Sequence, residues 1–167
     1  MFKQIILPLL GVIVFIVVVG LFVQKSPSFK LPGSNTATPA ASTEKTITIK
    51  DKKISVQIAK TNEERSKGLS GVSSLKEDSG MLFVFNPKST PLFWMKDMLI
   101  PLDMIWIADG KIVRIDKNVP APAANTPDSA LRTYSAGQPV DYILEVNGGY
   151  SDKNNIKTGD LVDLSGI

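Results

Sequence analysis

No cysteine and no histidine occur among the 167 residues, and these two absences remove more chemistry than any motif in the chain supplies. Without cysteine there is no disulfide, no thiolate nucleophile, no lipid-modified cysteine and no sulfur-ligated zinc. Without histidine there is no imidazole base, no Ser-His-Asp triad and no histidine-held haem. A metal would have to take oxygen ligands alone, which restricts it to Ca²⁺ or Mg²⁺. Neither a Gly-rich phosphate loop nor a dinucleotide fingerprint occurs, so no cofactor is expected. Excess charge is also missing where it would count. The net charge is +3, but Lys3, Lys25 and Lys30 flank an apolar N-terminal run, and from Glu44 onward sixteen basic residues face sixteen acidic ones. A neutral domain of this kind offers no phosphate-binding surface, and nucleic acid is not an expected partner.

What the chain does have is one long apolar run. Residues 5–23 carry no charge, and sixteen of the nineteen are Leu, Ile, Val or Phe. As a helix at about 1.5 Å per residue they would span roughly 28 Å, close to the roughly 30 Å of a bilayer's hydrocarbon core. Secretory hydrophobic regions run about 7 to 15 residues and end in a small-x-small cleavage site. This run is longer, and Val18-Val19-Gly20 matches such a site poorly, so residues 1–23 are expected to remain as a transmembrane anchor. The flanking charges tie, Lys3 and the terminal amine against Lys25 and Lys30. The four-residue tail ahead of the run is that of a signal anchor, which puts the tail inside and the rest of this single-pass protein outside the cytoplasm.

Residues 24–43, QKSPSFKLPGSNTATPAAST, have the Pro, Ser, Thr and Ala content of a flexible linker. Residues 44–167 then form one domain, in which short apolar runs alternate with turn residues. Ile47 and Ile49, then Ile54, Val56 and Ile58, flank Asp51-Lys52-Lys53 at period two, the pattern of a hairpin. Thr61 and Glu64 stand as a capping box and Gly68 as a helix stop, which predicts one short helix. Residues 81–85, 92–95, 102–108, 112–115, 142–146 and 161–164 are further strand candidates by their β-branched and aromatic content. Asp109-Gly110 predicts a tight type I′ turn, and Lys157-Thr158-Gly159-Asp160 another turn. Residues 121–136, with Pro122 and Pro127 and no apolar pattern, read as a long loop. The expected fold is mainly β, a compact antiparallel barrel-like domain with one or two short helices.

The segment GMLFVFNPKSTPLFWMKDMLIPLDMIWIADG over residues 80–110 resembles the bacterial and archaeal family called domain of unknown function 192. The resemblance extends through Glu64-Arg65, Gly68-Leu69, Tyr142-Ile143-Leu144-Glu145, Gly149 and Ile156-Lys157-Thr158-Gly159-Asp160, and so over nearly all of residues 44–164. Its most specific parts are Phe93-Trp94-Met95-Lys96 and Ile100-Pro101-Leu102-Asp103. Ser70 stands where the family tends to have Met, and Asp97 where Asn is usual. The resemblance implies a compact β-rich fold, often behind an export or anchor segment, and supplies no activity, substrate or catalytic residue.

Candidate site residues come from charges set within apolar strands. Asp103 lies in a run that is otherwise apolar from Leu99 to Ala108, Lys96 follows Phe93-Trp94-Met95, and Glu145 follows Tyr142-Ile143-Leu144. A buried carboxylate needs backbone donors or a cation. Asp103 can therefore be structural, capping the bend after Pro101 and pairing with Lys96 or Arg65. The other reading puts it in a ligand site with Lys96 and Glu145. Period two puts Trp94 and Lys96 on one face of their strand, an aromatic beside a cation, suited to a small molecule, a glycan or a protein ligand. A carboxylate-dependent hydrolase acting on an envelope substrate is the alternative, with Asp103 and Glu145 facing one cleft about 5 to 10 Å apart. No nucleophile or metal motif supports an enzyme. Ser73-Ser74-Leu75-Lys76 and Lys157-Thr158-Gly159 match two motifs of penicillin-recognising enzymes, but the helical domain those enzymes need is missing. Asp152-x-Asn154 starts like a calcium loop, then places Ile156 and Lys157 where an oxygen ligand and Gly belong; it reads as a surface turn. The sequence thus points to a membrane-tethered extracytoplasmic binding or interaction module.

Overall fold

The first hairpin forms where the alternation predicts it: β1 (Lys45–Ile49) pairs antiparallel with β2 (Lys52–Ala59). Ile47, Ile49, Ile54 and Val56 all point into the core, and the intervening Thr and Lys residues turn outward. The computed structural model describes residues 44–167; the expected anchor over 1–23 and linker over 24–43 lie outside the described residues. Among the described residues, no helix is long and apolar enough to cross a membrane.

Thr61 then starts α1 (Asn62–Lys67). Its hydroxyl accepts from the Glu64 backbone N–H, and the Glu64 carboxylate accepts from the backbone N–H of Thr61. Gly68 ends the helix at φ +46°, a left-handed conformation that glycine adopts without a Cβ clash, and a Cβ there would also press on the Phe83 ring at 3.3 Å. The remaining elements are β3 (Ser79–Ser89), β4 (Phe93–Trp94), β5 (Leu102–Ala108), β6 (Lys111–Val119), a single 3₁₀ turn at Asp128–Ala130, β7 (Thr133–Tyr134), β8 (Val140–Asn147), α2 (Tyr150–Lys153) and β9 (Val162–Asp163). Asp109 and Gly110, at φ +51° and +70°, make the two-residue turn between β5 and β6, both with the positive φ of a type I′ turn.

Seven strands form one sheet in the order β6-β5-β8-β3-β2-β1-β9, and β4 and β7 form a separate two-stranded ribbon. The sheet curls into a half-barrel. Its edge strands meet at one end, where Lys111 bridges Leu161 and backbone hydrogen bonds join Ile112 to Asp160 and Val162 to Gly110. Two expectations need correction. β2 and β3 run parallel, because α1 sits in the crossover between them and returns the chain to the same end. Residues 121–136 are not loop throughout: Thr133 and Tyr134 pair with Trp94 and Phe93, since two residues of strand are too few to show a period.

Each face of the sheet buries its own core. All seven strands contribute to the inner one, which consists of Ile, Val and Leu side chains closed off by Tyr150 and Ile156. The outer core covers the central strands β3, β8 and β5 with Met81, Phe83, Met104, Trp106 and Ile143, against which Leu69, Met95 and Met98 pack. Along β5 the alternation is strict: Met104 and Trp106 face outward, Ile105 and Ile107 inward. Gly80 lets β3 lie close to β8, since a Cβ there would meet the Glu145 carbonyl oxygen at 2.1 Å.

Candidate functional site

Glu145 sits in β8 between inward-facing Leu144 and Val146, two residues after Ile143, which belongs to the outer core. Period two therefore turns its side chain to the outer face, where its cross-strand neighbours are Met81 on β3 and Met104 on β5. It is 5% exposed. Among the described residues no donor reaches its carboxyl oxygens, and burial pushes its pKa up to about 8. Near neutral pH the group is mostly protonated.

Above it the cover of the outer core leaves a gap. A cavity of about 390 Å³ opens between α1 and the segment Pro91–Met98, with Glu145, Phe83, Leu69 and Met98 deep in its lining. That volume falls in the usual range for ligand pockets, about 300 to 1,000 Å³. Phe85 and Phe93 line its sides, and Phe93 is fixed edge-on to Phe83 at 4.9 Å and to Trp106 at 5.7 Å. The mouth carries Leu92, 72% exposed, and Trp94, 46% exposed.

Three cations line the same cavity in different states of engagement. Arg65 is spent on structure: it donates to the Val84 carbonyl at 3.0 Å and to Asn62 Oδ1 at 2.5 Å, and lies over the Phe85 ring at 5.2 Å, clamping α1 to β3. Lys96 lies 5.5 Å from the centre of the Trp94 ring and pairs with Asp128 at 2.5 Å, a contact that raises its pKa. Lys67 is exposed in the last turn of α1, and among the described residues no carboxylate pairs with it. The opposing walls are stitched together, Ser70 Oγ donating to the Lys96 carbonyl at 3.1 Å and Gly71 N–H to the Asp97 carbonyl at 2.9 Å. Asp97 holds φ +56°, a left-handed position that Asp and Asn both tolerate, so the departure from the more usual Asn preserves the turn.

Asp103 lies elsewhere. It faces inward at the end of β5 and is fully buried. Its carboxylate accepts three backbone N–H groups, from Asn118 at 2.7 Å, Gly149 at 2.8 Å and Ser151 at 2.7 Å. It pairs with neither Lys96 nor Arg65. The turn after β8 is thus an organised corner: α2 begins at Gly149, with Tyr150 and Ser151 buried, where the sequence suggests only a surface turn. Of the four candidate residues, the structure brings Trp94, Lys96 and Glu145 to one cavity and sets Asp103 on the opposite face of the sheet. Asp103 and Glu145 do not share a cleft, so the carboxylate-pair hydrolase lacks its geometry. Among the described residues no group of three or more carboxylates is arranged to hold a metal ion. The sequence does not single out Lys67, Phe83 or Phe85; the signal was the alternation of Met81, Phe83 and Phe85 along one face of β3.

The chain is similar to two bacterial crystal structures. One is a Sinorhizobium meliloti protein with a provisional description as a transcription regulator, 29% identical, with a TM-score of 0.65 over 74% of this chain and 95% of that one. The other is a Novosphingobium aromaticivorans protein of unknown function, 30% identical, with a TM-score of 0.64 over 71% of this chain and 83% of that one. No functionally curated protein matches the chain. The family model DUF192, described as an uncharacterised ACR, matches residues 45–164, most of the chain, and the chain therefore belongs to the family called domain of unknown function 192.

Proposed function

We propose that residues 44–167 form a binding module that takes a small molecule into the cavity between α1 and the Pro91–Met98 segment, and that residues 1–23 anchor the module to a membrane with the domain outside the cytoplasm. The observation that carries the binding half is Glu145, a carboxyl kept in an aromatic-walled cavity without a partner among the described residues. An unpaired buried carboxyl costs stability. Such a group makes physical sense where a ligand supplies the missing partner. The anchoring half rests on the length and apolar content of residues 5–23.

A thermal-shift screen of the full chain in detergent against soluble aromatic, heteroaromatic and sugar-like compounds tests the pocket. Hits should lose at least half of their shift in Trp94→Ala and Lys96→Ala. A library that moves the melting temperature nowhere overturns the pocket reading. Because the chain has no cysteine, single thiols report topology without background: Ser34→Cys should react with a membrane-impermeant maleimide on intact cells and Gln4→Cys should not. The reverse pattern would place the domain inside.

A further inference from the structure

The cavity is polarised along its depth. At its floor is Glu145, the one carboxyl among its lining residues, nine-tenths buried and flanked by Met81 and Met104. Above it are the rings of Phe85 and Phe93, half-buried along the sides. The charged groups facing it from the elements packed around it are all cations: Arg65 and Lys67 from α1, and Lys96 from the turn after β4 with Asp128 beside it. β3 and β5 present no titratable side chain to Glu145, only Met81, Phe83 and Met104.

This zonation discriminates between ligand classes. An anion would meet attraction at the mouth and a carboxyl with no counter-charge at the floor. A simple cation would find its partner at the floor but pass Arg65 and Lys67 on the way in, with Lys96 offset by Asp128. A molecule charged oppositely at its two ends satisfies both zones. Its inner ammonium gains a carboxylate and the faces of nearby aromatic rings, and its outer anion gains Lys67, whose charge has no partner among the described residues, and Lys96. Resting on the pocket reading above, we infer that the ligand is a small zwitterion with an apolar or aromatic body, its basic nitrogen seated on Glu145 and its anionic group held at the mouth by Lys67 and Lys96.

Binding of the ammonium ionises Glu145. Because burial holds the free carboxyl near 8, the proton it carries at pH 7 leaves when the ion pair forms, and affinity should rise up to about tenfold per pH unit from 6 toward 8. A neutral ligand displaces no proton.

Four probes of one shape separate the possibilities: 4-(aminomethyl)benzoate, benzylamine, benzoate and benzyl alcohol, titrated calorimetrically into the full chain in detergent at pH 7 in two buffers of different ionisation enthalpy. The zwitterion should bind at least tenfold more tightly than benzyl alcohol and release close to one proton. Glu145→Gln should abolish the release and bring the zwitterion down to the alcohol. The Lys67→Ala, Lys96→Ala double variant should weaken the zwitterion severalfold and leave benzylamine unchanged or tighter. Equal binding of benzyl alcohol and the zwitterion, or zwitterion binding without proton release, overturns the inference and leaves the pocket reading standing. No binding by any probe also overturns it, and the wider screen then decides the pocket separately. The probe series on the unaltered chain is decisive even where a variant fails to fold.

Discussion

Asp103 and Glu145 lie on adjacent strands, one register apart, and they are buried to nearly the same degree. One faces the inner core, the other the outer, and everything else about them differs. Asp103 accepts three backbone N–H groups from β6 and the start of α2. Glu145 accepts none among the described residues and has its pKa pushed up by burial instead. The difference teaches how a buried carboxyl can be read. Where the protein itself completes the hydrogen bonds, the group organises backbone. Where the protein leaves them open beside a cavity, the group is available to something from outside.

The contrast breaks most decisively at Asp103. Hydrogen bonds to a charged acceptor contribute about 1.5 to 3 kcal/mol each and are not strictly additive, so Asp103→Ala should cost about 4 kcal/mol or more and loosen the corner between β6 and α2. Urea unfolding followed by the fluorescence of fully buried Trp106 measures it. A loss under about 1 kcal/mol would mean that the three N–H groups are as well served by water, and the assignment of a structural role would fail.

Glu145 gives the next largest effect, through pH. Its folded pKa, about 8, lies above the ordinary value of 4.5, so between these values the folded chain holds a proton that the unfolded chain has released. Its contribution is fully present below 4.5 and is lost as pH rises through 8, at up to about 1.4 kcal/mol per pH unit. The chain should therefore lose about 3 to 4 kcal/mol between pH 5 and 8 relative to Glu145→Gln, which has no carboxyl to titrate. Parallel stability curves for the two proteins would show that water reaches the carboxyl freely and that the cavity floor is wet.

Both carboxyls are conspicuous in the sequence for the same reason, a charge within an apolar strand. What the sequence does not carry is their difference. Alternation assigns faces within one strand, but the phase between strands depends on register, here Met104 opposite Glu145 and Asp103 opposite Val146, with an irregularity at Leu102/Met104 on the other side of β5. Local signals were legible: the capping box at Thr61, the stop at Gly68, the Asp109-Gly110 turn and the whole of β5. Long-range ones were not. The parallel pairing of β2 with β3 could have been inferred from the helix between them, since a crossover helix is how parallel neighbours are joined. The two-residue ribbon at Thr133–Tyr134 left no pattern to find. Lys96 does lie beside Trp94, but from the turn beyond β4 rather than along a strand face, and its partner Asp128 is thirty-two residues away in the Pro-rich segment.

A third substitution sharpens the comparison by removing the unsatisfied group while keeping the packing. Glu145→Leu places an apolar side chain among Met81, Met104 and Phe83, and replacing a buried ionisable group by a hydrophobic one is often stabilising. The variant should gain about 1 to 2 kcal/mol at pH 7 in the same urea titration, consistent with that exchange. It should also lose ligand. Gain of stability with loss of binding is the signature of a group retained for function; a loss of stability would show that Glu145 has a structural partner after all.

The smallest effect lies back at the Asp103 corner and tests whether an unsatisfied group alone is informative. Ser151 donates its backbone N–H to Asp103, yet its own hydroxyl is buried without a hydrogen-bond partner among the described residues. The residue does not line the cavity that Glu145 faces. If a missing partner marks function only where a cavity adjoins it, this hydroxyl is expendable. Ser151→Ala keeps the N–H and the small volume while deleting the orphan, and should raise stability by about 0.5 to 1 kcal/mol with ligand binding unchanged. A fall in stability would mean that the hydroxyl holds a buried water at the corner. A fall in binding would mean that the two faces of the sheet communicate, so that the contrast between the two carboxyls describes one coupled device.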